Sequence, residues 1–318
     1  MNYSIRHATT FSYDPAVAES VMEVRTQPRS DVRQRCLTFS LDVKPKANVM
    51  LYRDFFGNAV HHFDIPGRHK EIEVHSQAIV EVQARTDLNG AAGSSWSDLD
   101  QRVSEGDYYE MLTPSQFATP TELLNKLASQ LRIERREMPF ALLKQLNAQL
   151  YEHFDYAPNT TSVNSPIDDA LRAERGVCQD FAHIMIALVR LLKIPCRYVS
   201  GYLFHADKAK DRSPAGATHA WVEAYLGELG WVAFDPTNNL LGCERHIRVA
   251  VGRDYADVPP TRGVHRGEAE SELRVSVLVT EVDSPAPDEL PPAMTIRLPR
   301  ETSVRSPVAD ISSQQQQQ

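Results

Sequence analysis

The chain has 318 residues, of which 42% are hydrophobic and 24% charged; that length and balance fit one large or two ordinary globular domains and exclude wholesale disorder. With 34 Lys and Arg against 42 Asp and Glu the formal net charge is −8, which excludes a broadly basic phosphate-binding surface, so no nucleic acid partner is expected. Nowhere do ~18 apolar residues run together as an ordinary membrane-spanning helix requires.

The opening stretch "MNYSIRHATTFSY" has neither the charged nor the apolar region of a signal peptide, so the expected location is cytoplasmic, with no membrane partner. Four cysteines, from Cys36 to Cys243, make no small-protein disulfide framework. Tyr3, Ile5, Phe11 and Tyr13 share one parity, as do Leu37, Phe39, Leu41 and Val43, the period of half-buried strands. Gly57 and Asn58 separate two short apolar stretches as a hairpin turn would. Residues 1–95 therefore predict an N-terminal antiparallel β-sandwich.

The Gly, Ser and Asn cluster in "RTDLNGAAGSSWSD" predicts a linker over 96–118. Beyond it the period changes to 3.6. One helix is expected with Thr119 as N-cap, Pro120 at its first position and Glu122 completing a capping box. A second runs from Pro139 to about Phe154, and a short one is capped by Ser165. The next opens at Cys178, lines up Phe181, Ile184, Met185, Leu188, Leu191 and Leu192 on one face, and ends at Pro195. Strand patterns return in "CRYVSGYLF", "HAWVEAYL", "WVAFDP" and "IRVAVG", and "ELRVSVLVTEV" adds a strand to either domain. The expected fold class is α+β: the sandwich, then helices packed on an antiparallel sheet over 119–282. The Pro- and Ser-rich end, 283–318, closes in glutamines and predicts a disordered tail.

A cysteine in the first turn of a helix sits near the positive end of the helix dipole and beside unpaired N–H groups, which favours the thiolate. Gly176 permits a tight entry to that turn, and the same N–H groups suit an oxyanion. The general base for a thiol is most often His, oriented by Asp or Asn. In "THAWVEAYLGELGWVAFDPTNN", Ala220, Val222, Ala224 and Leu226 make one aliphatic strand face, and Val232 with Phe234 make another. If both sets face one core, His219 and Asp235 share the opposite face. That requires an odd loop around Gly227 to Gly230, or a bulge.

"GVCQDFAH", "IPCRYVSGYL" and "THAWVEAYL" followed by "GWVAFDPTNN" resemble the transglutaminase-like superfamily, whose core is papain-like with chain order Cys, His, Asp. "YSIRHATTFSYDPAV" and "DFFGNAVHHFDI" resemble the β domain that precedes this core in a bacterial subfamily, so the likeness spans roughly residues 1 to 282. The resemblance implies Cys178 as nucleophile, His219 as general base and acid, and Asp235 as the group that orients His219. It carries over no side-chain oxyanion donor; Tyr156 and Asn159 are the candidates. Gln179 stands where the animal enzymes have Trp, so their acceptor site and calcium dependence do not transfer, and no cofactor is expected.

Cys243 and His246 form a C-x-x-H pair and His61 and His62 are adjacent, but no second pair completes a four-ligand zinc site, so no metal is expected. Cys196 reads as core, His183 as a structural hydrogen-bonder, and Asp180 as a complement to the helix dipole. Trp221 and Trp231 read as core residues that also border the expected site face. The expected activity is cysteine-dependent acyl transfer at amide bonds of a peptide or protein substrate through a thioester, with hydrolysis as the outcome. Transamidation and a non-catalytic peptide- or protein-binding module are the alternatives. Oligomeric state is not legible.

Overall fold

The structure is a computed structural model that describes residues 1–85, 88, 95–158, 160–206 and 210–283, and the backbone of 309–312. The N-terminal quarter is β1 (Asn2–Val17), β2 (Glu19–Val24), β3 (Gln34–Lys44), β4 (Met50–Arg53), β5 (Ala59–Ile65) and β6 (His69–Val82). Along β1 the odd residues from Tyr3 to Tyr13 are buried, and β6 buries its even ones from Ile72 to Val82. The register pairs Tyr3 with Val80 and Phe11 with Ile72, so the two buried sets share one face.

Then follow α1 (Trp96–Glu105), α2 (Tyr109–Leu112), α3 (Glu122–Gln130), α4 (Pro139–His153), β7 (Asp155–Tyr156), α5 (Ile167–Ala173), β8 (Arg175–Gly176) and α6 (Cys178–Leu191). The segment 96–118, expected as a linker, is instead helical over much of its length. Ser95 caps α1 in a capping box with Asp98, and Leu99, Phe117 and Ala118 enter the main core; the cap, not the Gly and Ser run before it, was the informative signal. Helix α3 is capped by Thr121, whose hydroxyl accepts from the Leu124 N–H. The expected cap, Thr119, lies outside the helix with its hydroxyl donating to Ser115 O. Likewise α5 begins after Pro166, while Ser165 bonds back to Ser162.

The core sheet comprises β9 (Cys196–Leu203), β10 (His219–Tyr225), β11 (Trp231–Asp235), β12 (Leu240–Leu241) and β13 (His246–Gly252), in the order β12-β11-β10-β9-β13. Helix α6 is buried along nearly its whole length and packs on the face that carries Ala220, Val222 and Ala224. An apolar run buried on all sides is what a central helix requires.

After this core the chain returns to the sandwich. β14 (Thr261–Arg266) pairs with β2, and β15 (Glu270–Val282) pairs with β1 along almost its whole length. The sandwich sheets are thus β15-β1-β6-β3 and β16-β14-β2-β5-β4, the last strand being β16 (Ala309–Ser312). The sandwich is therefore built from both ends of the chain, where the sequence suggested a domain closed by residue 95. Alternation identifies a strand but not its partner, so β15 carried no sign of which sheet it joins. Of the expected disordered tail, 284–308 and 313–318 lie outside the described residues. Phe11, Tyr13, Met22, Val24, Phe63 and Ile72 fill the sandwich interior. Tyr3, Ile5 and Val80 continue onto Tyr202, Ile247 and Val249 of the core sheet, joining the two layers. Among the described residues no helix is long and apolar enough to cross a membrane.

Candidate active site

Two short strands set the entrance to α6. β7 and β8 pair in parallel, placing Tyr156 opposite Gly176, and the Ala157 N–H donates to Gly176 O at 2.9 Å. Asp180, on the first turn of α6, reaches back: its Oδ2 accepts from the Val177 N–H at 2.8 Å and from the Thr161 hydroxyl at 2.6 Å. A Cβ on residue 176 would stand 2.5 Å from that Oδ2, so glycine is required there by close approach rather than by an unusual φ. This bracing fixes the turn on which Cys178 sits. Burial raises the Asp180 carboxyl to about 6 even though Thr161 and the Val177 N–H favour its charged form. It is a structural brace for the turn as well as the dipole complement the sequence suggested.

The hairpin meets the parity requirement. Tyr225 pairs with Trp231 and Val222 with Phe234, leaving a five-residue loop, 226–230, closed by a 3-10 turn over Gly227–Leu229. Trp221 is then level with Asp235, and His219, two residues earlier, falls on the same face. His219 Nε2 stands 2.8 Å from Asp235 Oδ2, with both side chains buried. A carboxylate can only accept, so this nitrogen carries the proton and Nδ1 is the free lone pair of the neutral ring. Nδ1 has no hydrogen bond of full geometry, while the Cys178 side chain lies within hydrogen-bonding range of the ring. The three residues picked out from the sequence thus converge.

Asp235 is held by more than His219. Its Oδ1 accepts the N–H groups of Thr237 and Asn238 at 3.1 and 3.2 Å, the turn formed by "DPTNN". Its Oδ2 also accepts from Asn238 Nδ2 at 2.8 Å and His246 Nε2 at 3.1 Å. Burial alone would raise the Asp235 carboxyl; the charges and hydrogen bonds of His219 and His246 overcome it and hold the group well below the usual carboxylate range. Burial likewise opposes charge on His219, but Asp235 and then Cys178 push its ring up to about 10. The charged imidazole is therefore the favoured state.

Asn238, His246 and Cys243 are the members the sequence reading did not place here. Asn238 Oδ1 accepts the N–H groups of Arg212 and Ser213 at 2.7 and 3.1 Å, tying the turn to the loop before β10. His246 Nδ1 faces the Cys243 thiol at 3.5 Å and the Cys243 N–H at 3.4 Å. The signal was present: His246 opens β13 as His219 opens β10. Ligand atoms of His219, Asp235 and His246 lie within 4.8 Å of one another, close enough for a metal cluster. Hydrogen bonds join these atoms, Asp235 Oδ2 accepting from both Nε2 atoms.

Trp221 is fully buried beneath both imidazoles, stacked on His219 at 6.0 Å and edge-on to His246 at 5.1 Å. Trp231 is half-buried under the Arg197 guanidinium, 4.2 Å from its centroid. Tyr156 stays a neutral hydroxyl: burial raises its pKa, and the neighbouring Cys178 and Asp180 charges add to the shift. Asn159 lies outside the described residues. His183 accepts from the Tyr255 N–H at 3.2 Å and stacks on Phe117, and Cys196 is core.

Comparison with known proteins identifies the family of the chain. Residues 3–81 match the family described as the bacterial transglutaminase-like N-terminal region, and residues 126–236 match the transglutaminase-like superfamily. Protein ML0607 of Mycobacterium leprae is 34% identical over 86% of this chain and 96% of its own length. The protein-glutamine gamma-glutamyltransferase of Pseudomonas aeruginosa is 32% identical, over 44% of this chain and 23% of its own. A crystal structure named "Putative Cysteine Protease from Cytophaga hutchinsonii" shares the fold with a TM-score of 0.69 at 24% identity, covering 90% of this chain and 92% of that one. With its N-terminal β region, its Cys178 helix and its His219–Asp235 hairpin accounted for together, the chain belongs to the transglutaminase-like superfamily.

Proposed function

We propose that the protein is a bacterial cysteine-dependent hydrolase of amide bonds in peptide or protein substrates, with Cys178, His219 and Asp235 as its triad. The observation that carries this reading is the line from the Cys178 side chain through the His219 ring to the Asp235 carboxylate. With the ring protonated, the Cys178 sulfur attacks the carbonyl carbon, forming the S–C bond while the carbonyl electron pair moves to oxygen. The Cys178 N–H and the Tyr156 hydroxyl are the donors for that oxyanion. Collapse breaks the C–N bond as His219 Nδ1–H protonates the departing amine, leaving a thioester. His219 then takes a proton from water, which attacks the thioester and releases the acid and the thiol. Four free cysteines suit the reducing cytoplasm in which we place it.

A second reading, transamidation, is favoured by the likeness to the Pseudomonas glutamyltransferase. There a primary amine replaces water in the last step. A peptide and isopeptide library, assayed with and without added primary amine, separates the two outcomes. An acyl adduct on Cys178 by mass spectrometry supports both, full activity in Cys178→Ala excludes both, and no turnover with no adduct on Cys178 supports a binding module.

A further inference from the structure

We infer that Cys243 is a second reactive thiol of this protein, a site of S-oxidation by hydrogen peroxide and similarly small peroxides, activated by His246 and anchored on Asp235. Cys243 is not an isolated cysteine. Its sulfur stands 3.5 Å from His246 Nδ1, and the Nε2 of that ring stands 3.1 Å from Asp235 Oδ2. This repeats, on the same carboxylate oxygen, the arrangement of Cys178 and His219. Because Asp235 accepts the Nε2 proton, Nδ1 of the neutral ring is the acceptor; it meets the Cys243 N–H at 3.4 Å and the Cys243 thiol at 3.5 Å, and it is the base within reach of the thiol proton.

The surroundings of Cys243 fit a small oxidant. Cys243 and His246 line a cleft between the sandwich and the core sheet, together with Arg33, Arg85, Trp221 and Arg248. The cleft has about 60 Å³ of room for the centre of a water-sized molecule, several times the ~10–15 Å³ that one water needs on that measure, which admits a peroxide. Cys243 is half-buried, whereas Cys196 is sealed in the core. Burial works against the Cys243 thiolate, but His246 and then Arg245 outweigh it and hold the thiol below its ordinary value. Cys36, also half-buried, has no such partner; its thiol donates to Thr38 O, and burial pushes it up to about 11.

In the reaction the Cys243 thiolate attacks one peroxide oxygen. The S–O bond forms as the O–O bond breaks; sulfur gives up two electrons and the departing hydroxide takes the proton held on His246, leaving a sulfenic acid and water. Because the oxidised sulfur contacts a ring that shares Asp235 with His219, the modification also reaches the proposed triad, and that link alone rests on the acyl-transfer reading.

The test is site-resolved labelling of the full chain with dimedone during stepwise addition of hydrogen peroxide, read by peptide mass spectrometry. It requires no catalytic activity, so its outcome is separate from that of the proposed hydrolysis. Cys243 is expected to gain the dimedone adduct about tenfold faster than Cys36 at neutral pH, the net of a larger thiolate fraction and a weaker intrinsic nucleophile. His246→Gln is expected to bring Cys243 down to the Cys36 rate. Equal or slower labelling of Cys243 relative to Cys36 in the unmutated protein overturns the inference, a comparison that stands even if the variant does not fold. Unchanged fast labelling in a folded His246→Gln variant overturns the role given to His246.

Discussion

The imidazole rings of His219 and His246 lie 6.2 Å apart, tilted by 44°, and both point Nε2 at one oxygen of Asp235. One buried carboxylate thus orients two rings whose opposite nitrogens each face a thiol. Asp235→Asn removes the charge that both rings use and offers an N–H to one of them. The expected result is a loss of kcat on the order of 10³ to 10⁴, with a fall in the His219 pKa from about 10 visible by NMR titration. Activity within tenfold of the unmutated protein would remove Asp235 from the triad.

The pH dependence has a definite sign. The His219 pKa in the folded protein, about 10, exceeds the ordinary 6.5, so folding favours the protonated ring. Its contribution to stability is complete below pH 6.5 and declines as the pH rises through about 10. Asp235 is shifted the other way, and its contribution is present above its ordinary pKa of 3.8 and declines in acid. Thermal melts across this range should show a broad neutral maximum, and His219→Asn should flatten the alkaline side. An alkaline limb unchanged in that variant would assign the loss to other groups.

How much of the site could be read from the sequence differs residue by residue. Cys178, His219 and Asp235 were legible because local patterns decide them: a glycine-led helix start, and a hairpin whose parity is fixed by which residues must be buried. His246 was hidden because its partner is Asp235, reached across the sheet, and C-x-x-H suggested only a metal. β15 read clearly as a strand, yet whether it joined the core or the sandwich depended on an unpaired edge of β1 some 250 residues earlier in the chain. Over 96–118 a Gly- and Ser-rich run predicts a linker, whereas the Ser95 cap and the buried Leu99 behind it make a helix.

Gly201 tests the support beneath the rings. A Cβ there would stand 2.1 Å from the Ile247 carbonyl oxygen and 2.6 Å from Trp221. Neither the backbone nor a fully buried indole can give way cheaply. Gly201→Ala is therefore expected to cost about 1–3 kcal/mol by overpacking, read from urea midpoints, and to lower activity through the displaced Trp221. A stability change under a few tenths of a kcal/mol would show that β9 and β13 separate more easily than their register implies.

Tyr156→Phe tests the side-chain oxyanion donor proposed above. The ring is retained and only the hydroxyl is lost, so folding should survive. The expected effect is a fall in kcat of about 10²-fold with KM nearly constant, since the oxygen it serves is charged only in the transition state. An equal change in both constants would assign Tyr156 to substrate binding.

Because β1 finds one neighbour in β6 and the other in β15, and β2 finds one in β5 and the other in β14, β1 and β2 wait for strands made only after the core sheet. The intervening chain, with the helix and hairpin that carry the thiol and its partners, is synthesised in between, while two long β edges are still open. Such edges invite pairing with other chains. Order of synthesis therefore puts the layer of α6 and the core sheet before the sealing of the sandwich, and a nascent chain halted before residue 261 would be the form most prone to self-association.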